Sequence, residues 1–174
     1  MSTLKSKPPV FLILAAGQGT RMKSDLPKVL TSICGRPLLA QILTRIQEAS
    51  PRSPIGIVVG YQGTLVKETI SSDPRLSDLK ITYLNQEVRD GTGGAVRVAM
   101  NSRWGKKVTQ SGAPVLVLPG DSPLITEELL SEITLPLKKA GQFVQGMFAR
   151  KVFPNGILRY RINRESNILV RIPE

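Results

Sequence analysis

The sequence contains no histidine and only one cysteine, Cys34. Without histidine, catalytic triads and metal sites built on imidazole are excluded, and one cysteine excludes an internal disulfide and a cysteine-based zinc site. No apolar run approaches the roughly 20 residues of a membrane helix, and none ends in the small-residue cleavage site of a signal peptide. We therefore predict a cytoplasmic protein without a membrane partner. Cys34 itself is predicted to be a small core residue.

Acidic residues are also scarce: 13 carboxylates face 24 lysines and arginines, which gives a net charge of +11. A basic chain suggests nucleic-acid binding. However, aromatic residues make up only 5% of the 174 residues, and no stacking pattern or basic recognition helix is present. A protein that binds polyphosphates would also be basic. We predict no nucleic-acid partner, and the sequence leaves the oligomeric state open.

Short apolar runs alternate with amphipathic segments along the chain. The predicted strands are residues 10–15, 55–59, 81–84, 115–118 and 143–149, and a terminal hairpin spans 158–172. The predicted helices are residues 37–49, 65–70, 95–103 and 126–140. This alternation predicts an α/β fold, three-layered and Rossmann-like, with a mainly parallel sheet. We expect a single domain over residues 1–174, with residues 1–9 as a flexible leader.

A glycine-rich loop follows the first predicted strand and contains Gly17, Gly19 and Arg21, with Lys28 shortly after. Backbone N–H groups in such a turn, flanked by cations, are suited to binding phosphate. The loop is neither a P-loop, which requires Gly-Lys-Ser/Thr, nor a dinucleotide fingerprint, because Met22 replaces the third glycine. Taken alone, the loop is also compatible with a plain turn bearing solvated cations.

Two further polar segments follow later strands, at the edge where ligands bind in such sheets. Gln86 has the donor and acceptor that can read a base edge, and Gly91-Thr92-Gly93-Gly94 permits close backbone approach, although it could be a plain helix start. Asp121 follows the fourth strand. It could cap the next helix, but Thr126 is better placed for that role, which leaves Asp121 to bind Mg²⁺.

Together, these segments resemble the signature of sugar-phosphate nucleotidyltransferases. The first part is Leu14-Ala15-Ala16-Gly17-Gln18-Gly19-Thr20-Arg21-Met22 with Pro27-Lys28-Val29-Leu30. That part is shared with cytidylyltransferases. Gln86, Gly91-Thr92-Gly93 and Gly120-Asp121 make the chain most similar to the N-terminal uridylyltransferase domain of bifunctional N-acetylglucosamine-1-phosphate uridylyltransferases, and imply a fold of the nucleotide-diphospho-sugar transferase type.

The resemblance implies that a sugar 1-phosphate attacks the α-phosphorus of UTP and that pyrophosphate leaves, with Mg²⁺ as cofactor. Arg21 and Lys28 would be the catalytic residues, Asp121 the metal ligand and Glu174 the sugar-binding residue. The implied nucleotide-binding residues are Leu14, Ala15, Ala16, Gly17, Gly19, Thr20, Gln86, Gly91 and Thr92.

Two positions depart from the family pattern. Gly94 stands where the family has histidine, and Leu158 replaces a glycine that contacts the sugar. We therefore expect the C-terminal, sugar-binding part to be incomplete. Two alternatives stay open: a nucleotide-binding module without turnover, and a cytidylyltransferase of the same fold.

Overall fold

A computed structural model describes residues 7–19, 24–88, 90–134, 160–162 and 169–171 of the chain. The chain divides into two compact units, residues 1–131 and 132–174. Within the described residues, no helix combines the length and the apolar character needed to cross a membrane.

The described strands number eight, and four of them form the central sheet. They are β1 (Val10–Ala15), β2 (Ser32–Ile33), β3 (Arg36–Pro37), β4 (Ile55–Val59), β5 (Ile81–Asn85), β6 (Val115–Pro119), β7 (Tyr160–Ile162) and β8 (Leu169–Arg171). The sheet has the order β5-β4-β1-β6, and all its pairs are parallel. This confirms the predicted α/β fold with a parallel sheet.

The described helices are α1 (Leu38–Ala49), α2 (Gly63–Ser71), α3 (Gly91–Asn101), α4 (Arg103–Ser111) and α5 (Glu127–Thr134). On one face of the sheet, Ala95 and Ala99 of α3 pack with Leu12 and Val58. Successive strand residues point to opposite faces. Phe11 is fully buried as well, so the second face is also covered, as a three-layer fold requires.

The predicted bounds of the helix at residues 95–103 were wrong, and a second helix that follows it was missed. α3 begins at Gly91 rather than Ala95, so its first turn is made of Gly91-Thr92-Gly93-Gly94. A separate helix, α4, follows after Ser102, whose hydroxyl accepts a hydrogen bond from the Gly105 N–H at 3.1 Å. This side-chain cap starts a new helix where the sequence pattern predicted only the end of the preceding one. The predicted cap of α5 is confirmed, since the Leu129 N–H donates to the Thr126 hydroxyl at 3.2 Å.

The prediction that Cys34 is a core residue was also wrong. Cys34 is exposed, in the two-residue turn that joins β2 to β3. Cys34 and Gly35 have φ values of 52° and 76°, the left-handed conformation that two-residue hairpin turns require. The backbone of this turn therefore places Cys34 at the surface whatever its hydropathy.

The second unit contains the antiparallel pair β7 and β8, which confirms the predicted hairpin. The predicted strand at residues 143–149 and the end of the helix predicted to reach residue 140 lie outside the described residues.

Candidate active site

The order in which the chain adds strands to the sheet reverses between β1 and β6, and we call this place the switch point. The chain passes outward from β1 to β4 and β5, then returns to add β6 on the other side of β1. Ligands of open α/β sheets bind at such a switch point, beyond the carboxyl ends of the strands. The loops that follow β1 and β6 therefore lie where a ligand of this sheet would bind.

Gly120 brings the loop after β6 against the end of β1. Its N–H donates to the Leu14 carbonyl oxygen at 2.9 Å. A β-carbon at position 120 would lie 2.9 Å from the same oxygen and 3.1 Å from the Val29 side chain, so a side chain would force the loops apart. The glycine thus fixes Asp121, the next residue, beside the end of β1.

Lys28 reaches Asp121 from the loop that follows β1. Lys28 begins a short 3₁₀ helix, Lys28–Leu30, which is anchored by the buried side chains of Val29 and Leu30. The ammonium group of Lys28 and the carboxylate of Asp121 form an ion pair, and the side chains are 41% and 32% exposed. The two charges therefore lie together at the switch point, within reach of a ligand.

Gly19 makes room for the stem of Lys28. Its φ is +72°, and a β-carbon at this position would lie only 2.6 Å from the Lys28 Cβ. Position 17 is open instead: no described atom lies within 4 Å of the place where its β-carbon would stand. The loop therefore presents bare backbone next to a fixed cation, as phosphate binding requires.

The ends of β1, β4 and β5 also approach one another closely. The Gln86 N–H donates to the Val59 carbonyl oxygen at 2.8 Å. A β-carbon on Gly60 would lie 3.0 Å from the Ala16 carbonyl oxygen and 3.3 Å from that of Gln86. The side chain of Ala16 is itself buried, so this residue can offer a ligand only its backbone.

Gln86 takes part in a polar cluster with Asp90 and Arg97, which we call the Gln86 cluster. The Gln86 amide nitrogen donates to Asp90 Oδ1 at 2.8 Å and lies 3.3 Å from the Gly91 carbonyl oxygen. The guanidinium of Arg97 donates to Asp90 Oδ2. Gln86 is only 4% exposed, so its amide is held by the protein and is not a freely rotating surface group.

Residues 11–152 match the family of MobA-like NTP transferase domains. The chain belongs to this family. Over 151 residues, it is 38% identical to the bifunctional protein GlmU of Thermobifida fusca, a match that covers 87% of this chain and 30% of that protein. The chain spans about a third of the length of the curated relatives it matches.

Solved structures agree with this family at the level of the fold. A UDP-glucose pyrophosphorylase complexed with UDP-glucose aligns over 75% of this chain and 55% of its own, with a TM-score of 0.55 and 18% identity. The 4-diphosphocytidyl-2C-methyl-D-erythritol synthase of Anaerococcus prevotii aligns over 76% and 52%, with a TM-score of 0.53 and 20% identity. The fold is therefore that of the nucleotide-diphospho-sugar transferases.

The predicted site residues of this family member form two adjacent groups. One group lies at the switch point and contains Leu14, Ala15, Gly17, Gly19, Lys28 and Asp121. The other lies at the end of β5 and contains Gln86, Gly91 and Thr92, with Ala16 beside it across Gly60. Thr20, Arg21 and Glu174 lie outside the described residues, so their predicted roles stay predictions.

Sequence reasoning missed Gly60, Asp90 and Arg97. A signal for Asp90 was present, because an acidic residue four positions after Gln86, immediately before a glycine-rich helix start, can turn back to the glutamine. Gly60 ends a predicted strand, but only the fold reveals that Ala16 and Gln86 flank it.

The residues at the switch point fit a magnesium ion that is bound largely by its substrate. Among the described residues, no group of three or more His, Cys, Asp or Glu side chains could hold a metal. Mg²⁺ is commonly bound by one or two carboxylates together with phosphate oxygens and waters. Asp121 supplies one such carboxylate at the place where the loop backbone can hold phosphates.

Proposed function

We propose that the chain transfers a uridylyl group from UTP to a sugar 1-phosphate, giving a UDP-sugar and pyrophosphate, with N-acetylglucosamine 1-phosphate as the substrate. The observation that carries the proposal is the pairing of Lys28 with Asp121 at the switch point of a nucleotidyltransferase fold, beside the bare backbone of Gly17 and Gly19. A cation and a carboxylate at this position are the groups that a metal-bound triphosphate needs.

The reaction requires little covalent chemistry from the protein. A phosphate oxygen of the sugar 1-phosphate forms a bond to the α-phosphorus of UTP, while the bond from that phosphorus to the β-phosphate bridging oxygen breaks. The nucleophile is already an anion, so no general base is needed. Catalysis then consists of positioning and of stabilising the charge that moves onto the leaving pyrophosphate.

Lys28 would stabilise the charge on the α-phosphoryl group, because Gly19 and the short helix hold its ammonium at the switch point. Asp121 would hold Mg²⁺, which neutralises phosphate oxygens when it is bound. On binding, Asp121 would give up its ion pair with Lys28 to hold the metal, and Lys28 would contact the triphosphate. Arg21 is proposed as a further triphosphate contact and Glu174 as the sugar contact.

The choice of uridine rests on GlmU as a curated relative and on the motif set that includes Gln86, Gly91 and Thr92. These residues lie at the end of β5, across Gly60 from Ala16. A nucleotide lying across the sheet edge would place its base toward β5 and its phosphates toward β6. The cytidylyl alternative draws support from a structural relative that makes a cytidine product.

Pyrophosphate release tests the function directly. The purified chain is incubated with Mg²⁺, N-acetylglucosamine 1-phosphate and either UTP or CTP, and pyrophosphate is measured by a coupled assay. We expect release with UTP, and no release after Mg²⁺ is removed with a chelator. Faster release with CTP would replace uridylyl transfer by the cytidylyl alternative. Calorimetric UTP binding without release would support the module without turnover, and the absence of both would reject the proposal.

Two variants test the residues that carry the proposal. Lys28→Gln is expected to lower kcat by about 10²- to 10³-fold, the typical loss when one group that stabilises developing charge is removed. Asp121→Asn is expected to raise the Mg²⁺ concentration needed for half-maximal rate. Lys80→Gln and Asp78→Asn are the matched controls, because both residues are exposed near the amino end of β5, at the opposite edge of the sheet. Equal losses in variants and controls would contradict the assignment.

A further inference from the structure

In the Gln86 cluster, both hydrogens of the Gln86 amide nitrogen have an acceptor. A glutamine amide nitrogen has two hydrogens to donate. Here the nitrogen lies 2.8 Å from Asp90 Oδ1 and 3.3 Å from the Gly91 carbonyl oxygen. The Gly91 carbonyl oxygen can only accept a hydrogen bond, and so can the Asp90 carboxylate when it is ionised. Among the partners that the structure describes, these contacts permit one orientation of the amide, which leaves its oxygen as the acceptor that could meet a ligand.

The Asp90 carboxylate accepts a hydrogen bond from Gln86 instead of capping the helix that follows it. It occupies the N-cap position of α3, yet within the described residues 90–134 its carboxylate caps no backbone N–H of that helix. Its two oxygens accept instead from Gln86 and Arg97. An aspartate at an N-cap ordinarily accepts from a backbone N–H of the helix start, so the position of this carboxylate needs another reason.

Gly94 supplies the space for that position. A β-carbon at residue 94 would overlap the Asp90 carboxylate. Gly94 is buried, in the first turn of α3, and a glycine there costs roughly 1 kcal/mol of helix stability relative to alanine. The Asp90 carboxylate thus occupies the space that a side chain at position 94 would need.

We propose that Asp90 determines the base preference of the site by locking the Gln86 amide with its oxygen toward the nucleotide. This inference rests on the proposed uridylyl transfer. A fixed acceptor matches the N3–H of uracil, which is the ring donor of that base. Cytosine has a lone pair at N3, so the same oxygen would repel it. Asp90 acts through Gln86 and is therefore a positioning residue.

The variant Asp90→Asn tests the lock with almost no change in shape. Arg97 can only donate, so an asparagine at position 90 would turn its oxygen to Arg97 and its NH₂ group to Gln86, which favours the opposite orientation of the Gln86 amide. We expect the ratio of kcat/KM for UTP to kcat/KM for CTP to fall by about tenfold, the value of one hydrogen bond of ordinary strength. Asp78→Asn makes the same change at an exposed position beyond the other end of β5 and should leave the ratio unchanged.

Gly94→Ala tests the same lock without altering any hydrogen-bonding group. The new methyl group would displace the Asp90 carboxylate from Gln86, while alanine favours the helix. We expect the UTP-to-CTP ratio to fall as it does in Asp90→Asn, with no loss in the midpoint of thermal unfolding. A variant that loses stability but keeps the ratio would assign the cluster to structure alone and overturn the inference.

The wild-type chain separates failure of the inference from failure of the proposed function. Turnover with UTP but no preference over CTP, or a preference for CTP, overturns the lock and leaves nucleotidyl transfer standing. If turnover is absent, the ratio of the dissociation constants for UTP and CTP, measured by calorimetry, takes its place, with the same fall expected in both variants. Binding of neither nucleotide would reject both proposals.

Discussion

The side chain of Lys28 packs so closely against the backbone of Gly19 that a β-carbon at position 19 would overlap the Lys28 β-carbon. Replacing Gly19 by alanine therefore has two effects. The φ of +72° costs about 1–2 kcal/mol for a residue with a side chain, and the new methyl group pushes the Lys28 stem aside. We expect Gly19→Ala to lower both the free energy of unfolding and kcat, the latter by about tenfold or more, since a small displacement of a positioned charge is costly.

Gly112 offers the matched control for this variant. It has a similar φ of +63°, but no described atom lies within 4 Å of the place where its β-carbon would stand. Gly112→Ala should thus lose a comparable amount of stability in a urea titration and keep its pyrophosphate-release rate. If the two variants lose kcat to the same extent, the effect is one of stability and Gly19 does not position Lys28.

The charged residues of the site could be predicted from the sequence, but the contacts that position them could not. Lys28 and Asp121 stand out because glycine-rich loops after apolar strands predict a ligand edge. Their direct contact depends on Gly120 fitting against Leu14, across more than 100 residues of chain. Asp90 escaped prediction for a related reason: the sequence shows Gly94 and Asp90 separately, and only the fold shows that the Asp90 carboxylate occupies the space beside Gly94.

At the scale of elements, Asp73 joins the segment after α2 to the β2–β3 hairpin and α1. Its carboxylate caps a short helix through the Arg75 N–H at 3.1 Å, pairs with the Arg75 guanidinium at 2.8 Å and lies 3.5 Å from that of Arg36. Arg36 also donates to Thr44 of α1 at 2.9 Å. The side-chain hydrogen bond from Arg75 is the main cause that lowers the pKa of Asp73 to about 2 from an ordinary value of 3.8.

The lowered pKa predicts how Asp73 contributes to stability as the pH changes. A carboxyl group whose pKa falls on folding stabilises the folded state above its unfolded pKa, and this contribution disappears as the pH falls through the folded value. Asp73→Ala should lose about 1 kcal/mol at pH 7, the usual value of a lost cap, and the difference from wild type should shrink between about pH 4 and pH 2. Urea titrations at pH 7, 4 and 2.5 measure this. A difference independent of pH, or an equal effect of Asp78→Ala, would contradict the assignment.

The helix that sequence reasoning missed, α4, is held by a contact that the local sequence does not indicate. A β-carbon on Gly56 of β4 would lie 2.8 Å from the Trp104 ring, so the indole of α4 packs on a strand position without a side chain. The helix itself has a mostly polar sequence, and its apolar anchors are Trp104 and the buried Val108. Periodicity finds helices that bury a stripe, which is why α1, with Leu39, Ile42, Leu43 and Ile46 buried, was predicted correctly.

For the whole molecule, the excess of cations over carboxylates is 11. The ion pairs of the described residues involve Lys28, Arg36, Arg45, Arg75 and Arg97, each with an acidic partner. Pairing every carboxylate in this way would still leave a strongly positive field. Such a field raises the rate at which an anionic ligand arrives, and salt weakens it because the screening length falls from about 10 Å at 0.1 M to about 3 Å at 1 M.

This field predicts that salt weakens the contribution of the ligand's phosphates to binding and leaves the contribution of its base unchanged. The association rate constant of UTP, followed by stopped-flow with a fluorescent analogue, should fall about tenfold between 0.05 and 0.5 M NaCl. Uridine, which has the base without phosphates, carries no charge, so its binding should depend little on salt. A rate constant for UTP that does not change with salt would mean that the net charge serves another partner, and tight, salt-sensitive binding of duplex DNA by the same chain would identify that partner as nucleic acid.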